Sequence, residues 1–101
     1  MKVIPDKAEV ALEFPEKAYM GTFGTNARFE VRTDAVGVTL RLQRHDDQKR
    51  EVDVHLHYGL LADIVDETAR SIGEQPPIDA RHREALLHAA RRLVDALKPK
   101  R

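Results

Sequence analysis

The chain has 101 residues, 42% of them hydrophobic and 34% charged, and its 17 basic and 17 acidic residues cancel. That length holds one modest core and one domain over residues 1–101, with an expected stability of about 5–10 kcal/mol. The charge balance argues against a dedicated nucleic-acid binder. The absence of cysteine excludes disulfides, thiolate metal sites and thiol nucleophiles together. No apolar run has the length of a signal peptide or approaches the roughly 18 residues of a membrane span. The expected setting is therefore a small soluble protein of the cytoplasm, and the wealth of arginine and alanine suggests a bacterium with a GC-rich genome.

The first half alternates with period two, the mark of strands with one dry and one wet face. Ala8, Val10, Leu12 and Phe14 form one such face, and Ala27, Phe29, Val31 and Thr33 another. Val36, Val38, Leu40 and Leu42 follow, then Val52, Val54 and Leu56. One-sided burial points to an antiparallel sheet, because parallel sheets are usually covered on both faces. The short connections at residues 33–37 and 45–50 make the last three runs a β-meander. The segment Pro15 to Asn26 is ambiguous: its glycines allow a turn, while Tyr19, Met20 and Phe23 favour a further strand. The sheet is thus expected to have four or five strands.

The second half changes period. Leu60, Leu61, Ile64, Val65, Thr68, Ala69 and Ile72 recur at helical spacing. Gly73 is placed to end that helix and Pro76-Pro77 to break the chain. Asp79 is placed to cap a second helix, which carries Leu86, Leu87, Ala90, Leu93, Val94 and Leu97 on one side and stops at Pro99. The predicted fold class is α+β: an antiparallel meander with two C-terminal helices packed on one face. Val38, Leu40, Val54, Leu56, Ile64, Leu86, Leu93 and Leu97 are the expected shared core.

Signs of chemistry are few. Asp53, His55 and His57 alternate along one strand and project from one face, so two imidazoles and a carboxylate form a candidate metal site. A solvated polar face explains them as well, with Thr39, Arg41 and Gln43 expected on the neighbouring strand. His82 and His88 stand six residues apart on a helix and point apart. Ser71, the single serine, lacks a glycine elbow. Gly21-Thr-Phe-Gly24 lacks the lysine and following helix of a phosphate loop and reads as a turn. No catalytic signature and no cofactor motif is present, so the reading leans away from an enzyme.

Charge is unevenly spread. Residues 59–78 carry Asp63, Asp66, Glu67 and Glu74 against Arg70, whereas residues 79–101 carry seven basic residues against Asp79, Glu84 and Asp95. A nucleic-acid surface would have to be built from Arg81, Arg83, Arg91 and Arg92, without aromatic residues beside them. The expectation is a non-enzymatic binding or protein-interaction module. Its expected partner is another protein or a second copy of itself, since zero net charge and open sheet edges leave self-association unopposed. The alternative is a small metal- or ligand-binding protein built on Asp53, His55 and His57.

Overall fold

The computed structural model describes residues 1–74 and 77–100. The fold is α+β, with antiparallel strands followed by two C-terminal helices. The strands are β1 (Lys2–Val3), β2 (Ala8–Glu13), β3 (Ala18–Phe23), β4 (Ala27–Thr33), β5 (Gly37–His45) and β6 (Lys49–His57), and the helices α1 (Tyr58–Glu74) and α2 (Ala80–Leu97). Two compact units emerge, Met1–Ile64 and Val65–Arg101.

In the first unit, β4, β5 and β6 form the expected meander, and β1 adds to the other side of β4, giving the order β1-β4-β5-β6. The register pairs Phe29 with Leu42, Val31 with Leu40, Leu42 with Val52 and Leu40 with Val54, so the apolar side chains of three strands share one face. The opposite face carries Glu30, Arg41 and Asp53 in one row and Arg32, Thr39 and His55 in the next. A register slip of one residue would exchange these faces, which is why the hydrophobic pattern fixes the pairing.

β2 and β3 form a separate two-stranded hairpin. Its loop is tight: Phe14 and Lys17 exchange both backbone N–H···O=C bonds, at 2.7 and 3.2 Å. The segment whose character the sequence leaves open is therefore a strand over Ala18–Phe23 and a turn at Gly24, where Ala27 N–H closes on the Gly24 carbonyl. The chain passes from β1 to β2 through Asp6, whose φ of 56° is the single positive value outside glycine among the described residues. Asp tolerates this left-handed conformation better than most residues because its short polar side chain bonds locally.

The hairpin lies on the apolar face of the sheet and sets the position of the core. Ile4, Phe23, Ala27 and Leu42 are the buried hydrophobic residues, with Ala8, Val10, Phe29, Leu40 and Val52 packed against them. The expected core needs correction accordingly. Of its members only Leu40 packs on this cluster, while Val54, Ile64, Leu86, Leu93 and Leu97 are exposed. The physical reason is the hairpin: Phe23, with 3% of its surface exposed, covers the Leu42 end of the sheet and draws the core there. Arg44 continues the apolar row beyond Leu42 and is mostly covered. Its guanidinium donates to the Thr22 carbonyl at 2.7 Å and lies 3.0 Å from Asp46.

Sharp local bonds join β6 to α1. Tyr58 N–H donates to the Val36 carbonyl at 3.2 Å and its hydroxyl to the Asp34 carbonyl at 2.7 Å. The first turn of α1 is thus tied to the β4–β5 turn. That turn is itself held by the Asp34 carboxylate, which accepts from Val36 and Gly37 N–H at 2.7 and 2.8 Å.

Both helices follow the predicted periods. Gly73 lies inside the last turn of α1, which runs to Glu74, and the break expected at Pro76 lies outside the described residues. Asp79 occupies the N-cap position of α2 but makes no side-chain cap bond. Its carboxylate instead meets His82 Nδ1 at 2.6 Å, and that contact holds the carboxyl below its ordinary range. α2 ends at Leu97, two residues before Pro99, with Lys98 N–H closing on the Asp95 carbonyl. Neither helix has a buried residue, and Leu97 keeps 74% of its surface exposed.

Candidate functional site

The polar face of the sheet is organised by Arg41 on β5. Its Nε donates to Asp53 Oδ1 at 2.8 Å and lies 3.1 Å from Glu51 Oε1, and its Nη2 reaches Asp53 Oδ2 at 3.4 Å. This fork on one carboxylate is the geometry that suits a guanidinium. The Asp53 hydrogen bond and charge, with Glu51 and Glu30 behind them, raise the Arg41 pKa above its ordinary value. Glu51 also accepts from Gln43 at 3.2 Å and lies 3.4 Å from Lys49. The Gln43 bond, then Lys49 and Arg41, lower its pKa. Arg32 bridges to Glu30 at the edge of the same face. These groups range from half-buried to exposed and none is buried, so the network sets side-chain order more than stability.

The three candidate metal residues do project from this face, as the alternation requires. Their environments differ. Asp53 is engaged by Arg41, and His55 Nε2 lies 3.5 Å from the Asp34 carboxylate. The His55 and His57 rings stand edge to face with centroids 5.2 Å apart. Among the described residues no three histidine or carboxylate side chains converge as a metal would require. Gly21, Thr22 and Phe23, read as part of a turn, lie in β3 and offer no phosphate cradle. At about 100° of helical rotation per residue, Arg83 falls on the opposite side of α2 from Arg81, and it reaches back to the Ile78 carbonyl at 3.4 Å. The four arginines of α2 therefore do not form one stripe.

Two features of the first unit are not located by the sequence, which predicts open sheet edges without saying which strand bears them. The first is the edge of β6. This strand bonds β5 on one side, and among the described residues no strand pairs with the other. The second is a cleft of about 500 Å³ beside that edge. Leu12, Tyr19 and Met20 of the hairpin wall one side, and the Lys49–Val52 stretch of β6 the other. Met20 is 82% exposed at its rim. Most of the cleft lining is apolar, and Lys49, Arg50 and Glu51 contribute its charged part. The sequence marks it only through Met20, an apolar side chain in a stretch whose alternation is broken by Gly21 and Gly24.

No helix among the described residues is long and apolar enough to cross a membrane. No protein-family model matches the chain, and neither a curated protein nor a solved structure matches it.

Proposed function

We propose that the chain is a non-enzymatic protein-interaction module whose working surface is the free edge of β6 with the apolar cleft beside it. The observation that carries this reading is the open strand. β6 is nine residues long, and an edge of that length presents backbone N–H and C=O groups that a further strand can satisfy. The cleft supplies what backbone pairing lacks, namely apolar surface that selects side chains. Lys49 and Arg50 at one end keep the edge hydrated in the free protein, in the manner of edge strands that must not aggregate.

Site-specific photo-crosslinking in cells tests it. A benzophenone side chain at position 51 or 53 is expected to capture a protein in covalent adducts, and one at position 92 on α2 is not. Adducts formed at position 92 with none at 51 or 53 would move the working surface off the sheet.

A second reading rests on the 5.2 Å spacing of the His55 and His57 rings. Two imidazoles at that separation could share a cation if Asp53 left Arg41. The intact Arg41–Asp53 fork, at 2.8 Å, favours the first reading.

A further inference from the structure

We infer that the strand received by β6 is β6 of a second copy of this chain, paired antiparallel about a two-fold axis at Asp53. The inference rests on the proposal that the β6 edge is the working surface, and deepens it by naming the occupant.

The argument comes from register. In an antiparallel pair, residues directly opposite each other lie on the same face, so only registers that match odd with odd positions keep polar face against polar face. Asp53 is the midpoint of Lys49–His57. An axis there is the one register that pairs the strand over its whole length. It sets Glu51 opposite His55 of the second copy, twice by symmetry, and Lys49 opposite His57. On the other face it sets Val52 opposite Val54, also twice, and Arg50 opposite Leu56. Moving the axis to Glu51 would oppose Glu51 to itself, set Arg50 against Val52, and pair little more than half the strand.

The residue on the axis meets its own copy, and like charges opposed in this way destabilise a sheet. Here the structure already provides the remedy. Each Asp53 is held by its own Arg41 through the 2.8 Å bond, so the axis carries two neutralised pairs instead of two bare carboxylates. Without Arg41 this register would be the wrong one.

The cleft fits the same occupant. Val52 is the last residue of β6 that lines it, and Leu12, Tyr19 and Met20 of the hairpin line it as well. In the proposed register Val54 of the second copy lies next to Val52 and extends that lining. The sheet becomes continuous across the axis, and each hairpin covers apolar side chains of both chains. A two-fold pairing of one surface with itself is also the commonest route to a closed assembly.

The test uses the native absence of cysteine, so every thiol is one that has been introduced. In sedimentation of the unmodified chain over a concentration series, a concentration-dependent dimer is expected. Under mild oxidation Asp53→Cys is expected to form a disulfide-linked dimer, because its Cα would stand within the separation of about 4.4–6.8 Å that a disulfide spans. Thr39→Cys, on the same face but in the central strand β5, is expected to stay monomeric. An equimolar mixture of Glu51→Cys and His55→Cys is expected to give the mixed disulfide several-fold over either homodimer, a readout that does not depend on removing Asp53. A chain that stays monomeric throughout, or Asp53→Cys oxidising no faster than Thr39→Cys, would overturn the second copy as occupant. If position 51 or 53 nevertheless crosslinks another protein in cells, the interaction-module reading survives that failure. If neither position crosslinks anything, both fall.

Discussion

Gly37 and Leu56 are in closer approach than any side chain would allow: a methyl group built on Gly37 would stand 2.2 Å from the Leu56 carbonyl oxygen and 2.9 Å from His57 Cα. The obstacle is backbone, which cannot rotate away. Gly37→Ala should therefore prise β5 from β6 at the end where Tyr58 anchors α1. A destabilisation of about 1–3 kcal/mol is expected from such overpacking, read as a lower urea midpoint. Gly59→Ala is the control, since nothing lies within 4 Å of a methyl group there. Helix propensity should make that change mildly stabilising.

Tyr58→Phe removes the hydroxyl that donates to the Asp34 carbonyl at 2.7 Å and leaves the ring in place. The loss should be about 0.5–1 kcal/mol, the lower part of the usual range for one hydrogen bond, because the site is partly wet. Hydrogen exchange should show the effect as faster exchange in the first turn of α1 and the β4–β5 turn, with the β2–β3 hairpin unchanged.

The Asp34 carboxyl is held below the usual carboxylate range by the Gly37 N–H, then by the Val36 N–H, with a smaller contribution from His55. A depressed folded-state pKa means that the carboxylate contributes stability above its unfolded value, about 3.9. That contribution is lost as pH falls through the lower folded value. NMR of the β4–β5 turn across an acid titration should show the Val36 and Gly37 amides losing their bonded shifts below about pH 3.9, and Asp34→Ala should remove the transition.

Phe23→Ala should cost about 3–5 kcal/mol and Leu42→Ala about 2–5 kcal/mol, the range for emptying a buried site. Met20→Ala, at an 82% exposed position, should fall within about 0.5 kcal/mol of the unmodified chain. Thermal unfolding of the three variants at low concentration checks the ranking. Equal effects at Phe23 and Met20 would mean that the hairpin does not cover the sheet.

Zinc should produce no saturable rise in melting temperature at one ion per chain, because Asp53 is committed to Arg41. A ligand bound only by the folded state must raise that temperature. A stoichiometric rise that disappears when His55 and His57 are both replaced by alanine would instead establish the two-imidazole site.

Much of this fold is legible in the residues, and the failures have identifiable causes. Period-two runs through Phe29, Leu40 and Val54 reveal the meander, and Leu60 to Ile72 reveals α1, because long regular patterns leave little choice of element. Lys2–Val3 is too short to show any period, so β1 leaves no mark in the sequence. β3 was obscured by Gly21, which interrupts the alternation. The core lies away from where periodicity alone puts it, because periodicity says which face is dry but not what covers it. The same holds at the candidate site. Alternation puts Asp53, His55 and His57 on one face and Arg41 beside them. That Arg41 holds Asp53 follows only from the exact β5–β6 register: the hydrophobic pattern fixes which faces match, and the turn over residues 46–48 selects the pairing among those.

The pairing of β1 with β4 has a consequence for the order in which the chain assembles. β4, β5 and β6 are joined through short turns at residues 34–36 and 46–48, contacts that form early because little loop entropy is spent on them. Lys2 must instead find Phe29, with a whole hairpin intervening, and Ile4 enters the core only once that search succeeds. Ile4 is thus among the most deeply packed residues and is expected to arrive late. Truncating it to alanine should leave the refolding rate nearly unchanged and accelerate unfolding, since an interaction absent from the transition state affects only the barrier to leaving the native state. The lifetime of the folded protein is therefore governed from its first few residues.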